Sequence, residues 1–83
     1  EKKYQKSYQK LPRKLQKKTD SAIEKFKKNP YDAALYNHAL HGNMMGQRAF
    51  SVAGNLRIIF EEHGHYAVVL IIDIGTHNQV YLN

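Results

Sequence analysis

YAVVLIIDIGTHNQVY, residues 66–81, opens with an almost unbroken apolar run that ends at Ile72. The run is too short for a membrane span and too rich in β-branched residues for a comfortable helix. A run of this length bounded by turn residues predicts a strand buried on both faces, set in the middle of a sheet. Asp73 and Gly75-Thr76-His77 then end the burial. A polar turn with a histidine at the mouth of a rigid strand can hold a chemical group still. Equally, Gly75 makes an ordinary turn and His77 is a solvated loop residue.

Upstream of this run the period is two from Gln47, with Phe50 and Val52 alternating against Ala49 and Ser51. This predicts a strand over 47–53. Gly54-Asn55 is a hairpin dipeptide. Leu56, Ile58 and Phe60 alternate with Arg57, Ile59 and Glu61 in a second strand, and His63-Gly64 turns into the run at Tyr66. A last short strand is expected over Gln79–Leu82. Residues 31–46 read as a connection, with Leu35 and Leu40 tucked onto the core.

The N-terminal part has helical spacing. Tyr4, Tyr8 and Leu11 line one face over residues 2–11, and Pro12 favours a break followed by a new first turn. Leu15, Thr19, Ala22, Ile23 and Phe26 repeat up to Lys28, where Asn29-Pro30 stops the helix. The order predicts one α+β domain over residues 1–83: an N-terminal αα-hairpin packed on one face of a 3–4-stranded antiparallel sheet.

The 83 residues contain no cysteine, which removes disulfides and thiolate chemistry. No apolar run is long enough to span a bilayer, and nothing in these residues resembles a signal peptide. Residues 1–28 hold eleven of the thirteen Lys and Arg for a net charge of +8, whereas residues 29–83 carry −2. A basic half suggests a polyanion partner, nucleic acid ahead of a membrane surface. Lys-rich helices are also simply soluble helices.

Candidate chemistry lies in the second half. His38 with His41 and His63 with His65 have the spacing of metal pairs, but no Cys and few carboxylates accompany them. No metal or cofactor is expected. His38 and His77 both stand beside glycines at element ends. Arg48 and Arg57 are the sheet half's only arginines, and Arg57 should point away from Leu56, Ile58 and Phe60. Its fork fits a phosphate, or a carboxylate such as Asp73 or Glu61. The Tyr81 phenol can stack, donate a proton or pack. Two imidazoles, two guanidiniums and a phenol suit RNA cleavage by the neighbouring ribose 2′-OH, which needs a base, an acid and cations over the phosphorane.

The strings NHALHG, GQRAFSVAGNLRIIF and VVLIIDIGTHNQVY, with YQKSYQKLPRKLQKKTDSAIEKFKKNP ahead of them, resemble the RelE/YafQ-like toxins of bacterial type II toxin–antitoxin systems. The most specific pieces are His38 to Arg48, Leu56–Phe60 and Ile74–Tyr81. The resemblance implies a small microbial-RNase-type fold in the bacterial cytoplasm that cuts mRNA in the ribosomal A site, beside rRNA. Its implied partner is a cognate antitoxin, in a toxin–antitoxin hetero-oligomer or alongside a homodimer. Carried over by position, His38, His77, Arg48, Arg57 and Tyr81 form the catalytic set, and Lys14, Lys17, Lys18, Ser51 and Asn55 contact RNA. Ser51 and Asn55 stand where relatives often carry His and Asp, and Met44 and Met45 where the loop is commonly basic. The family's first strand, ahead of the helices, is absent from this sequence, which would leave one sheet edge open. Two alternatives stay open: a ParE-like toxin that inhibits DNA gyrase, and an inactive relative that only binds its antitoxin or DNA.

Overall fold

A computed structural model describes residues 2–65 and 68–81. Helix α1 (Lys2–Gln9) turns Tyr4 and Tyr8 inward, and helix α2 (Arg13–Lys28) turns Leu15, Ala22, Ile23 and Phe26 inward. Pro12 separates them. Its extended conformation breaks the first helix, and its carbonyl accepts the N–H groups of Leu15 (2.9 Å) and Gln16 (3.0 Å) to start the second. Lys25, Lys27 and Lys28 occupy the last turn of α2, at the negative end of its dipole.

Four antiparallel strands follow in the spatial order β1-β2-β3-β4: His38–Ala39, Arg48–Ala53, Leu56–His63 and Val68–Thr76. The β2–β3 hairpin turns at Gly54-Asn55, with Gly54 at φ +52°, where a side chain would be strained. One sheet face buries Phe50, Leu56, Ile58, Phe60 and Ile74 against Ala22, Phe26 and Leu35. Phe26 is its centre, stacked on Phe50 at 4.7 Å and edge-on to Phe60 at 5.0 Å. Thr19 is buried beside this cluster and satisfies its hydroxyl on the Leu15 carbonyl (2.8 Å). The other face holds a smaller cluster of Ala49, Ile59 and Val80, with Leu40, Met44, Ile72 and Tyr81 packed on it.

Three expectations change. The apolar run does not lie in the middle of the sheet: β4 is an edge strand, and β3 is the strand buried on both faces. β4 is apolar on both sides because α1 packs against it and the C-terminal helix α3 (His77–Tyr81) returns over it. Its edge position shows at Leu70, which is 41% exposed. Further along, Asp73 blocks the edge. Its Oδ1 accepts the Ile74 N–H and the Ser7 hydroxyl, both at 2.8 Å, and Lys3 lies 3.6 Å from Oδ2. The expected start of this strand at Tyr66-Ala67 lies outside the described residues.

The last short strand is instead α3. Thr76 and Gln79 form a reciprocal capping box: the Gln79 side chain accepts the Thr76 N–H (2.8 Å), and the Thr76 hydroxyl accepts the Gln79 N–H (3.3 Å). Leu82, the expected end of that strand, lies outside the described residues. The connection over 31–46 is also more ordered than its spacing suggests. It contains 3₁₀ turns at Ala33–Leu35 and Gly42–Met44 around strand β1. Leu35 joins the main core and Leu40 the smaller one. Among the described residues no helix is long and apolar enough to cross a membrane.

Candidate functional site

The face of the sheet opposite α2 carries the site. His38, on β1, pairs with Ala49 of β2 and so shares the side of Ala49 and Ile59. α3 begins at His77, whose N–H donates to the Asn55 carbonyl (3.0 Å), fastening the helix to the β2–β3 turn. His38, His41, Asn43, Met44, His77 and Tyr81 together line a cavity of about 330 Å³. Within α3 the His77 and Tyr81 rings, four residues apart, meet edge to face at 4.3 Å and 83°.

His38 has a defined hydrogen-bond geometry. Its Nδ1 lies 2.9 Å from the Tyr36 carbonyl, which can only accept. Nδ1 therefore carries the proton, and in the neutral ring Nε2 is left as a base. Tyr36 reaches this position through a left-handed backbone (φ 50°), uncommon outside glycine and costly for a bulky side chain. The Tyr36 ring is 69% exposed and stands 5.1 Å from the His38 ring. Nothing in the sequence singles out Tyr36, because an isolated left-handed residue leaves no periodic trace.

Arg57 points to this face too. It pairs with Ser51 on one side and Gly75 on the other. It makes no ion pair with Asp73 or Glu61. Its Nη1 donates to the carbonyls of Gly54 (2.7 Å) and Leu56 (3.2 Å), which holds the fork in place. Asp73 instead faces Lys3, and Glu61 lies 3.7 Å from His63. The Tyr81 hydroxyl is buried and has no hydrogen-bond partner among the described residues. Burial pushes this phenol above the ordinary tyrosine range, and the Arg57 charge pulls it back. The phenol therefore stays protonated at neutral pH and is available as a hydrogen-bond donor.

Arg48 does not join them. It pairs with Phe60, so its register is that of the helix-covered face. Its spacing from Phe50 and Val52 carries that signal. The Arg48 Nε donates to Asn37 Oδ1 (3.0 Å), and Asn37 Nδ2 donates to the Pro30 carbonyl (3.0 Å). Arg48 braces the loop that delivers Tyr36 and His38. The expected RNA contacts are divided as well. Lys17, Lys18 and Ser51 line a groove of about 320 Å³ with Ser21, Lys25 and Val52, between α2 and β2. Asn55 lies at the site through its carbonyl, and Lys14 is an exposed residue of α2. Ser51 links the two regions, since it lines the groove and pairs with Arg57.

Among the described residues no group of three or more His, Cys, Asp or Glu is arranged to hold a metal ion. No family model matches the sequence. No curated protein matches it either. The fold does match a solved structure, a copper-bound point-mutant toxin from Helicobacter pylori. The TM-score is 0.70 over 98% of this chain and 93% of that one, at 16% identity. The α+β arrangement of this chain, with its four-stranded antiparallel sheet, is therefore a fold also used by a bacterial toxin.

Proposed function

We propose that this chain is the toxin of a bacterial type II toxin–antitoxin system, RelE/YafQ-like, acting in the cytoplasm as a metal-independent endoribonuclease on mRNA in the ribosomal A site. The observation that carries this reading is the meeting of His38, His77 and Tyr81 around one cavity, with Arg57 on the same sheet face beside Tyr81. The likeness to a Helicobacter pylori toxin supports the toxin part of it. The sequence motifs support the nuclease part.

In this reading His38 Nε2 takes the proton of the ribose 2′-OH. The 2′-oxygen bonds to phosphorus and the bond from phosphorus to the 5′-oxygen breaks, leaving a cyclic phosphate. Protonated His77 supplies a proton to the departing 5′-oxygen. Arg57, already tied to two carbonyls, offers its remaining N–H groups to the phosphorane charge. The Tyr81 ring orients His77, and its phenol, unpaired among the described residues, donates a hydrogen bond to a phosphate oxygen as charge develops there. Lys17 and Lys18 attract the flanking phosphates. A cognate antitoxin would neutralise the protein in a hetero-oligomer.

The test is primer extension on a reporter mRNA after brief induction. Cleavage within the reading frame is expected, and His77→Ala is expected to abolish it while ribosome binding persists. DNA damage with intact mRNA would instead favour gyrase inhibition. A His77→Ala protein that cuts at the parental rate removes His77 from the chemistry.

A further inference from the structure

We propose that Gln79 is a positioning residue for His77, acting through Thr76 rather than by touching RNA. The inference rests on the nuclease reading for its functional consequence, and on geometry alone for the positioning itself. α3 has five residues, far below the length at which a helix holds together by its own backbone bonds. Its shape must come from what ties it down. The ties include the Thr76–Gln79 capping box, the His77 N–H on the Asn55 carbonyl, the buried Val80 and the Tyr81 ring packed on the smaller cluster.

Gly75 shows how closely Gln79 is fitted. A Cβ at Gly75 would lie 2.9 Å from the Gln79 Oε1, 3.2 Å from its Cβ and 3.1 Å from the Val80 Cγ1. The glycine lets the Gln79 stem lie flat on the end of β4, where its amide oxygen meets the Thr76 N–H. His77 sits between the two halves of this box. Its backbone N–H is held on the Asn55 carbonyl, and its ring meets that of Tyr81, four residues on. Loss of the Gln79 carbonyl frees the Thr76 N–H and slackens the first turn, so His77 no longer holds one bearing toward the cavity it shares with His38.

Gln79 is exposed, so its replacement leaves both apolar clusters intact. In Gln79→Ala, the Val80 and Tyr81 amides are expected to exchange roughly fivefold faster, the usual size of a lost cap. The NMR cross-peaks between the His77 and Tyr81 rings should weaken. In the cleavage assay kcat should fall about tenfold or more with KM nearly unchanged, as for a misplaced catalytic group. Gln79→Glu keeps a side-chain acceptor oxygen, now a carboxylate in place of the amide, at the position a capping box needs and should restore all three readouts. Gly75→Ala should reproduce the loosened ring by pushing Gln79 away.

Parental exchange and ring contacts in Gln79→Ala overturn the proposal. So does a Gln79→Glu protein as loose as the alanine variant, or a parental kcat once the ring is loosened. If α3 loosens as expected but the parent protein leaves RNA whole, the nuclease reading falls and the hold of Gln79 on His77 stands.

Discussion

Tyr81→Phe should make this protein more stable and less active at once. The Tyr81 hydroxyl is buried without a hydrogen-bond partner among the described residues. A hydroxyl taken out of water and left unpaired costs about 1–3 kcal/mol. The residue as a whole is only half-buried, so the lower end applies, about 1 kcal/mol. Phenylalanine keeps the ring that meets His77 edge-on and packs on Ala49, Ile59 and Val80, and removes only the orphan oxygen. In a domain of this size, about 1 kcal/mol is a rise of about 4–8 °C in Tm. The assay is paired: thermal unfolding by circular dichroism, and mRNA cleavage by primer extension. An unpaired polar atom is tolerated when it is used, so cleavage should drop while Tm climbs. A lower Tm in Tyr81→Phe would mean that the hydroxyl is satisfied in the folded protein, and the reasoning fails. A higher Tm with parental cleavage would remove the phenol from the reaction.

Phe26→Ala should cost about 3–5 kcal/mol, because it opens a cavity between Phe50 and Phe60. Against a total of about 4–12 kcal/mol for a chain of this length, that is about a quarter of the stability or more. The urea midpoint should fall by at least that fraction, and a midpoint near the parent's would show that the aromatic cluster is not the centre of stability. Stability should also fall in alkali. Burial raises the Tyr4 phenol, with Tyr8 and Asp20 adding to the effect, and burial raises Tyr81 against the pull of Arg57. The folded chain then keeps protons that the unfolded chain releases near pH 10, so the contribution is complete below about pH 10 and is lost above it, as the folded-state values are passed. Urea midpoints measured between pH 9 and 11 should decline, more gently in Tyr81→Phe, and a flat profile would contradict the sign.

The helices were legible because Tyr4, Tyr8, Leu15, Ala22 and Phe26 keep one helical stripe, and because Pro12 and Asn29-Pro30 punctuate it. The β2–β3 hairpin was legible from alternation and one turn dipeptide. β4 was placed wrongly because a strand apolar on both faces has two explanations. Flanking strands with layers above and below are one; helices folded over an edge from both sides are the other, and a local window cannot distinguish them. α3 is too short to show a helical period. Its signal was the pattern Thr76-x-x-Gln79, which an expectation of alternation passes over. At the site, His38 and His77 were singled out by their place beside glycines at element ends, Tyr81 by its phenol, and all three again by motif resemblance, but by no spacing that links residue 38 to residue 77. Arg48 shows the reverse: its spacing from Phe50 was informative, and the motif led away from it.

The two faces of the sheet differ in how they are held, and this separates the site from the fold. On the helix side, eight buried residues from α2, a 3₁₀ turn and three strands make one cluster centred on Phe26, with Tyr4 and Tyr8 of α1 packed against it. On the other side the buried cluster among the described residues is Ala49, Ile59 and Val80, and α3 contributes Val80 to it with the half-buried Tyr81 ring packed alongside. Opening α3 therefore exposes little apolar area compared with unfolding the sheet, and local opening costs much less than global unfolding. The platform under Arg57 and Ala49 stays rigid while the element bearing His77 and Tyr81 depends on caps, the buried Val80 and the half-buried Tyr81 ring. A change at Thr76, Gln79 or Asn55 should then appear in the exchange of α3 and leave the global transition nearly untouched. A change at Phe26 should move the global transition and carry α3 with it. That asymmetry explains why a short capping box, minor on any ledger of total stability, governs the geometry of the residues read here as chemical.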